Sequence, residues 1–313
     1  MTARSLLDRA GTFIGLLLVA VIFGVLVGRQ FFAPGNIELM ARQAAIVSMA
    51  ALGMTVVIAA GGIDLSVGSM VALTTVVIAL MLRGHATPFV AALAGVVVAA
   101  LCGLLNGVLI TQLEVVPFIV TLGTMLIIRG AAKGLADERR IEAPITWLND
   151  LLRTSSGTPL MPAGIWLVIV CALIVAAVLR YTRFGRHLFA IGSNERMARL
   201  CGVAITRTKI AVYTLSAALA GLAGLLMFSK LSVGDSTVSV GLELDVIAAV
   251  IIGGGSLSGG RGTVLGTIIG AAIMTIIQIG CTQKGLANWV QQIVTGSIII
   301  VAVALDRVRS GQK

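Results

Sequence analysis

Residues 52–72 read LGMTVVIAAGGIDLSVGSMVA, an apolar stretch interrupted by Gly61, Gly62 and Asp64. It is apolar enough for a bilayer, where continuous helix satisfies backbone groups at least cost. Broken backbone at that depth is tolerated only where protein buries it or where it lines a water-filled cavity. A carboxylate at or near membrane depth is likewise costly, and such groups mark functional sites. The stretch therefore reads as part of a polytopic membrane protein built for passage or contact, not only for anchoring.

Composition points the same way. Of 313 residues, 58% are hydrophobic and only 12% charged, and the mean hydropathy is +1.06. A soluble domain of this length would have too little polar surface to cover itself. With Gly, Pro and charges as punctuation, about ten helical segments emerge: 11–28, 43–60, 66–82, 88–112, 116–135, 164–180, 208–230, 244–257, 262–280 and 287–305. Spanning helices need roughly 17–25 residues. The eighth segment is too short to cross alone and the second and third are marginal, so broken or re-entrant helices are expected there. The fold class is all-α, a polytopic membrane helix bundle forming one domain over 1–313. The apolar run after the basic N-terminus lacks a small-residue cleavage site, so it reads as a retained first span.

The formal charge of +10 has a simpler source than nucleic acid, for which no basic stretch carries interleaved aromatics. Short cytoplasmic loops of membrane proteins carry excess Lys and Arg. The basic groups here are Arg4 and Arg9, then Arg180, Arg183, Arg186, Arg196, Arg199, Arg207 and Lys209, then Arg307, Arg309 and Lys313. Ten spans place all three groups on one side, so both termini and the loop at about 181–207 are expected in the cytoplasm. Trp147, Trp166 and Trp289 then share the outer interface, where indole favours the headgroup level. The outer loop 137–162, closed by Pro159 and Pro162, reads equally as a pore cap, a partner surface or a passive connection.

The residues exclude several chemistries. Cys102, Cys171, Cys201 and Cys281 show no CxxC or metal-ligand spacing, and His85 and His187 are far apart, so no metal or triad site is expected. The glycine-rich 253–262 lacks the Gly-Lys-Ser/Thr of a phosphate loop; its small residues suit tight helix packing. GGIDLSVG at 61–68 echoes GGGSLSGG at 253–260, a weak internal repeat with both copies on one side. Glu243 and Asp245 suit the positive end of a helix.

Two places carry the functional reading. Asp64 can cap the helix that follows, or Gly61, Gly62, Asp64 and Ser66 can line a passage; a capped half-helix serves both. In the basic loop, Asn194 is a good N-cap, Glu195 and Arg199 match the ends of a short helix, and Gly202 is a C′ stop. That helix reads equally as a docking peg for another protein or as a segment lying on anionic headgroups.

Taken together, the stretch 52–73, LNGVLI at 105–110, PFIVTLGTMLIIRG at 117–130, AIGSNERMARLCGV at 190–203 and ELDVIAAVIIGGGSLSGGRGTVLGT at 243–267 resemble the permease subunits of bacterial ABC importers of the ribose/xylose/arabinose class. The resemblance runs from about residue 44 to 305. It implies a pair of permease subunits in the inner membrane beneath a periplasmic solute-binding protein, driven by cytoplasmic ABC ATPase subunits. By that likeness Asn194, Glu195, Ala198, Arg199 and Gly202 form the coupling helix seated in the ATPase. Gly61, Gly62, Asp64, Ser66 and Asn106 lie near the passage of a small polar solute, a monosaccharide for preference. Nucleosides and branched-chain amino acids are alternative solutes, and an ATP-independent carrier is the alternative mechanism. No cofactor and no catalytic residue are implied.

Overall fold

The computed structural model describes residues 3–153 and 161–311. Pro159 and Lys313 lie outside them. Among the described residues are twelve α-helices: α1 Ala3–Val27, α2 Pro34–Ala59, α3 Val67–Arg83, α4 Pro88–Gln112, α5 Pro117–Leu135, α6 Ala163–Tyr181, α7 Arg183–Ser193, α8 Glu195–Leu200, α9 Ile205–Leu231, α10 Leu242–Ile252, α11 Val264–Gln283 and α12 Asn288–Gly311. Six of them, α2, α4, α5, α6, α9 and α11, are long and apolar enough to cross a membrane.

Ten of these helices answer the ten expected segments, with two corrections. α2 is not marginal: it runs unbroken for 26 residues from Pro34 at its first position, where the fixed φ of proline is pre-organised for helix and its missing N–H costs nothing. The basic loop is not one short helix but two, α7 and α8. The shortness of α10, 11 residues, is as expected.

α9 is the axis of the bundle, packing against α2, α3 and α4. Small residues bring the backbones together. A Cβ on Gly53 of α2 would stand 2.7 Å from the Ser216 carbonyl oxygen, and one on Gly107 of α4 would stand 2.7 Å from the Ile210 Cα. Without a hydrophobic drive between helices in lipid, such close approach supplies the van der Waals contact that holds them. α4, α5 and α6 carry exposed Leu101, Leu126, Ile127 and Leu173 outward, a surface suited to acyl chains.

α2 and α10 end alike. At α2 the Gly62 N–H reaches Val57 O and the Gly61 N–H reaches Ile58 O; at α10 the Gly255 N–H reaches Val250 O and the Gly254 N–H reaches Ile251 O. Both are Schellman turns, with Gly61 (φ 79°) and Gly254 (φ 89°) in the left-handed position that only glycine takes without strain. Turn geometry pairs Gly61 with Gly254, one residue from the match read by identity. The two copies lie at the same end of the bundle, because the Gly260 N–H donates to Ala59 O at 3.0 Å.

At the opposite end, residues 136–153 after α5 form a folded segment. Ile141–Glu142 (β1) pairs antiparallel with Val233–Gly234 (β2). A 3-10 turn, Trp147–Asp150, is closed by a capping box between Thr146 and Asn149, and the Leu152 N–H donates to Ser229 Oγ at 3.0 Å. Arg140 meets Asp235 at 2.8 Å. Burial pushes the Asp235 carboxyl up, but the bonds from Thr237 and Arg140 outweigh it and leave the group below the usual carboxylate range. Trp147, Trp166 and Trp289 are all exposed at this end.

Candidate functional site

Gly62, Asp64, Ser66 and Asn106 come together in one buried knot between α2, α3, α4 and α9. Asp64 Oδ1 accepts from the Ser66 N–H at 2.9 Å and from Ser66 Oγ at 2.5 Å. Asn106 Nδ2, on α4, donates to Ser66 Oγ at 2.9 Å. Thr121 of α5 donates to Ile63 O at 3.2 Å, tying the turn from a third side. Asp64, Ser66 and Asn106 have no exposed surface, and Tyr213 of α9 is 2% exposed. A Cβ on Gly62 would strike the Tyr213 hydroxyl, so the glycine is required for the turn to seat against α9.

Asp64 therefore closes a turn on Ser66 just before α3 begins, instead of capping the first turn of that helix. Its second oxygen, the Asn106 side-chain oxygen and the Tyr213 hydroxyl have no hydrogen-bond partner among the described residues. None of the ion pairs among the described residues touches Asp64. Gly61 departs from this cluster: it is exposed, and its Cβ position faces Gly192 Cα at 3.5 Å.

The other expected residues assemble separately on α8, at the end of the bundle where Gly61 emerges. Asn194 Oδ1 accepts from the Met197 N–H at 3.0 Å, an N-cap. Gly202 (φ 79°) closes α8 with bonds from its own N–H to Arg199 O and from Val203 N–H to Ala198 O. Ala198 is the buried residue of α8 and packs with Ile191 and Ile205. Glu195 holds Lys209 of α9 at 2.8 Å and Arg199 at 3.6 Å. The outer face is left bare: Met197 is 56% and Leu200 81% exposed. A cleft of about 540 Å³ opens between α8 and the α4–α5 turn, with Glu114, Glu195, Arg199 and Lys209 on its walls.

Several contributors were missed in the sequence. Tyr213 and Thr121 sit inside apolar helices, and no local signal marks them. In the sequence Lys209 shows only as a positive charge of the basic loop. α7 had a signal: Gly185, Leu188 and Ile191, its buried residues, recur at three-residue spacing while Arg183 and Arg186 face out. Among the described residues no group of His, Cys, Asp or Glu could hold a metal ion.

An apolar bundle with helices that end short of the loops at one end, a buried polar knot beside them and a capped helix outside is the architecture of a multi-pass membrane protein. Residues 36–303 match the family described as "Branched-chain amino acid transport system / permease component", and the chain belongs to that family of ABC-importer permeases. It is 38% identical to the ribose import permease protein RbsC of Bacillus subtilis over 312 residues, covering 97% of this chain and 94% of that one. Against RbsC of Escherichia coli K12 it is 36% identical, covering 93% and 91%. Against the fructose import permease protein FrcC of Rhizobium meliloti it is 32% identical, covering 93% and 83%. No solved structure matches it. The chain is thus a transport subunit of the inner membrane and not an enzyme; ATP hydrolysis in such importers belongs to a separate subunit.

Proposed function

We propose that this chain, a single permease domain over 1–313, carries a monosaccharide into the cell by alternating access. It does so as one of a pair of permease subunits between a periplasmic solute-binding protein and cytoplasmic ABC ATPase subunits. The observation that carries the reading is α8: a helix capped at both ends, anchored inward by Ala198 and Lys209, with Met197, Leu200, Arg196 and Arg199 presented outward. A solvated connection has no need of two exposed large apolar side chains on a braced six-residue helix. A socket on the ATPase would cover them. Asn194, Glu195, Ala198, Arg199 and Gly202 hold that helix in shape.

The basic end of the bundle then faces the cytoplasm, with the start of α1 and the end of α12 beside it. The knot of Gly62, Asp64, Ser66 and Asn106, with Gly61 at its edge, fixes the wall of the passage where α2 ends, and its burial makes it a support for that wall. Sugar is favoured over branched-chain amino acids because the ribose and fructose permeases match over more than nine-tenths of this chain.

Purification of the tagged chain from its native membrane in mild detergent tests the reading. An ATPase with Walker motifs and a solute-binding protein should accompany it, and that binding protein should bind a monosaccharide. A chain that came down alone and still moved sugar in ATP-free vesicles would refute it.

A further inference from the structure

The joint between α7 and α8 touches both helix breaks at once. Asn194 ends α7 and caps α8, so any swing of α8 pivots at residues 192–194. At the start of the pivot, Gly192 lies so close to α2 and to the loop after α10 that a Cβ there would strike Ala59 O and stand 2.6 Å from the Gly260 nitrogen. The Gly260 N–H donates a hydrogen bond to that same Ala59 oxygen. From the other side, a Cβ on Gly259 would lie 2.5 Å from Gly192 O and 2.9 Å from Gly61 Cα, and one on Gly260 would strike Ser193 Oγ. Three backbones therefore meet with no side chain between them.

We propose that Gly192 and Ser193 are the positioning residues that deliver movement of α8 to the breaks after α2 and α10 together. Backbone-on-backbone contact has no rotamer to absorb a displacement, so a shift at the joint reaches Gly61 and Gly259 undiminished. Gly61 leads directly into Gly62, seated on Tyr213, and into the Asp64 turn. The contact also has a natural second state. The Ala59 carbonyl is one of the last of α2, with no acceptor role inside the helix; the Gly260 N–H occupies it when the loops are together, and water would occupy it when they part. Coupling between sites requires such an element with two arrangements.

This inference rests on the docking of α8 proposed above, and the test separates the two. The complex of the parent chain with its ATPase and binding protein is compared with Gly192→Ala in lipid nanodiscs for ATP hydrolysis and in proteoliposomes for uptake. Alanine favours helix over glycine, so α7 itself is not weakened. The variant should keep the ATPase bound and hydrolysing, while uptake falls roughly tenfold, the scale of coupling between linked sites. Gly134→Ala on α5, with open space at its Cβ, should transport normally. Should Gly192→Ala fail to assemble, Ser193→Cys in a Cys201→Ser background serves instead: Ser193 is exposed, and a bulky maleimide is attached after folding. Complete labelling should stop uptake and spare hydrolysis. Uptake within twofold of the parent, or release of the ATPase on labelling, would overturn the proposal. Failure of the parent chain to bind an ATPase would instead overturn the docking reading.

Discussion

At Asp64 a single carboxylate oxygen organises the whole turn between α2 and α3. It accepts one backbone and one hydroxyl donor from Ser66, and Asn106 reaches the same hydroxyl from α4. Removing the acceptor leaves buried donors with nothing to bond. Each unsatisfied buried group costs about 1–3 kcal/mol, so Asp64→Ala should lower the thermal unfolding midpoint of the detergent-purified protein clearly. Asp64→Asn retains an oxygen for the Ser66 N–H and should lower it less. Equal midpoints for both variants would mean that the hydrogen bonds of the knot do not hold the turn. The sequence made the carboxylate conspicuous, because a charge in an apolar run is costly. It did not disclose Tyr213 and Thr121, which are invisible until tertiary packing brings α9 and α5 against the break.

Among the elements, punctuation residues decided legibility. α4 was placed at 88–112 and stands at Pro88–Gln112, because Thr87 caps it and Pro88 starts it. α10 was recognised as short from the glycines that end it. α2 extends nine residues beyond the expected 43–60 at its start, where residues 34–42 mix Pro, Gly, Asn, Glu and Arg into its first turns; Glu38 pairs there with Arg42 one turn on. In the sequence α7 reads as part of the basic loop, because its arginines mask a three-residue apolar rhythm. α8 was read correctly, since its caps are local chemistry. Arg199 is the residue on which its two readings divide. Glu at 199 would oppose the helix dipole at the C-terminal end and repel Glu195 one turn earlier, each by a few tenths of a kcal/mol on an exposed surface. The bundle should insert normally. Yet Arg199→Glu should abolish uptake if α8 seats in an ATPase, as followed by transport assay alongside membrane quantification. Unchanged uptake would leave α8 as a helix lying on lipid headgroups.

For the whole molecule, the distribution of charge and of cysteine gives one test of orientation. The start of α1, the α7–α8 pair and the end of α12 gather at one end: α12 is held there by Asp306, whose carboxylate accepts from Ser256 at 3.0 Å. The exposed tryptophans, β1 and β2 mark the other. On the proposed reading, the positive-inside rule puts the arginine-rich end in the cytoplasm. Of the four thiols, Cys201 is exposed, Cys102 and Cys171 are half-buried in spanning helices, and Cys281 is buried. Cys201 lies directly after α8, at the arginine-rich end. A membrane-impermeant maleimide should therefore leave the chain unlabelled in spheroplasts and label it in inside-out vesicles, with Cys201→Ser removing the signal. ATPase bound to α8 should shield Cys201, so stripping the vesicles of peripheral subunits should increase the labelling. Labelling from the outside of spheroplasts would reverse the orientation, and with it the side from which α8 could meet an ATPase.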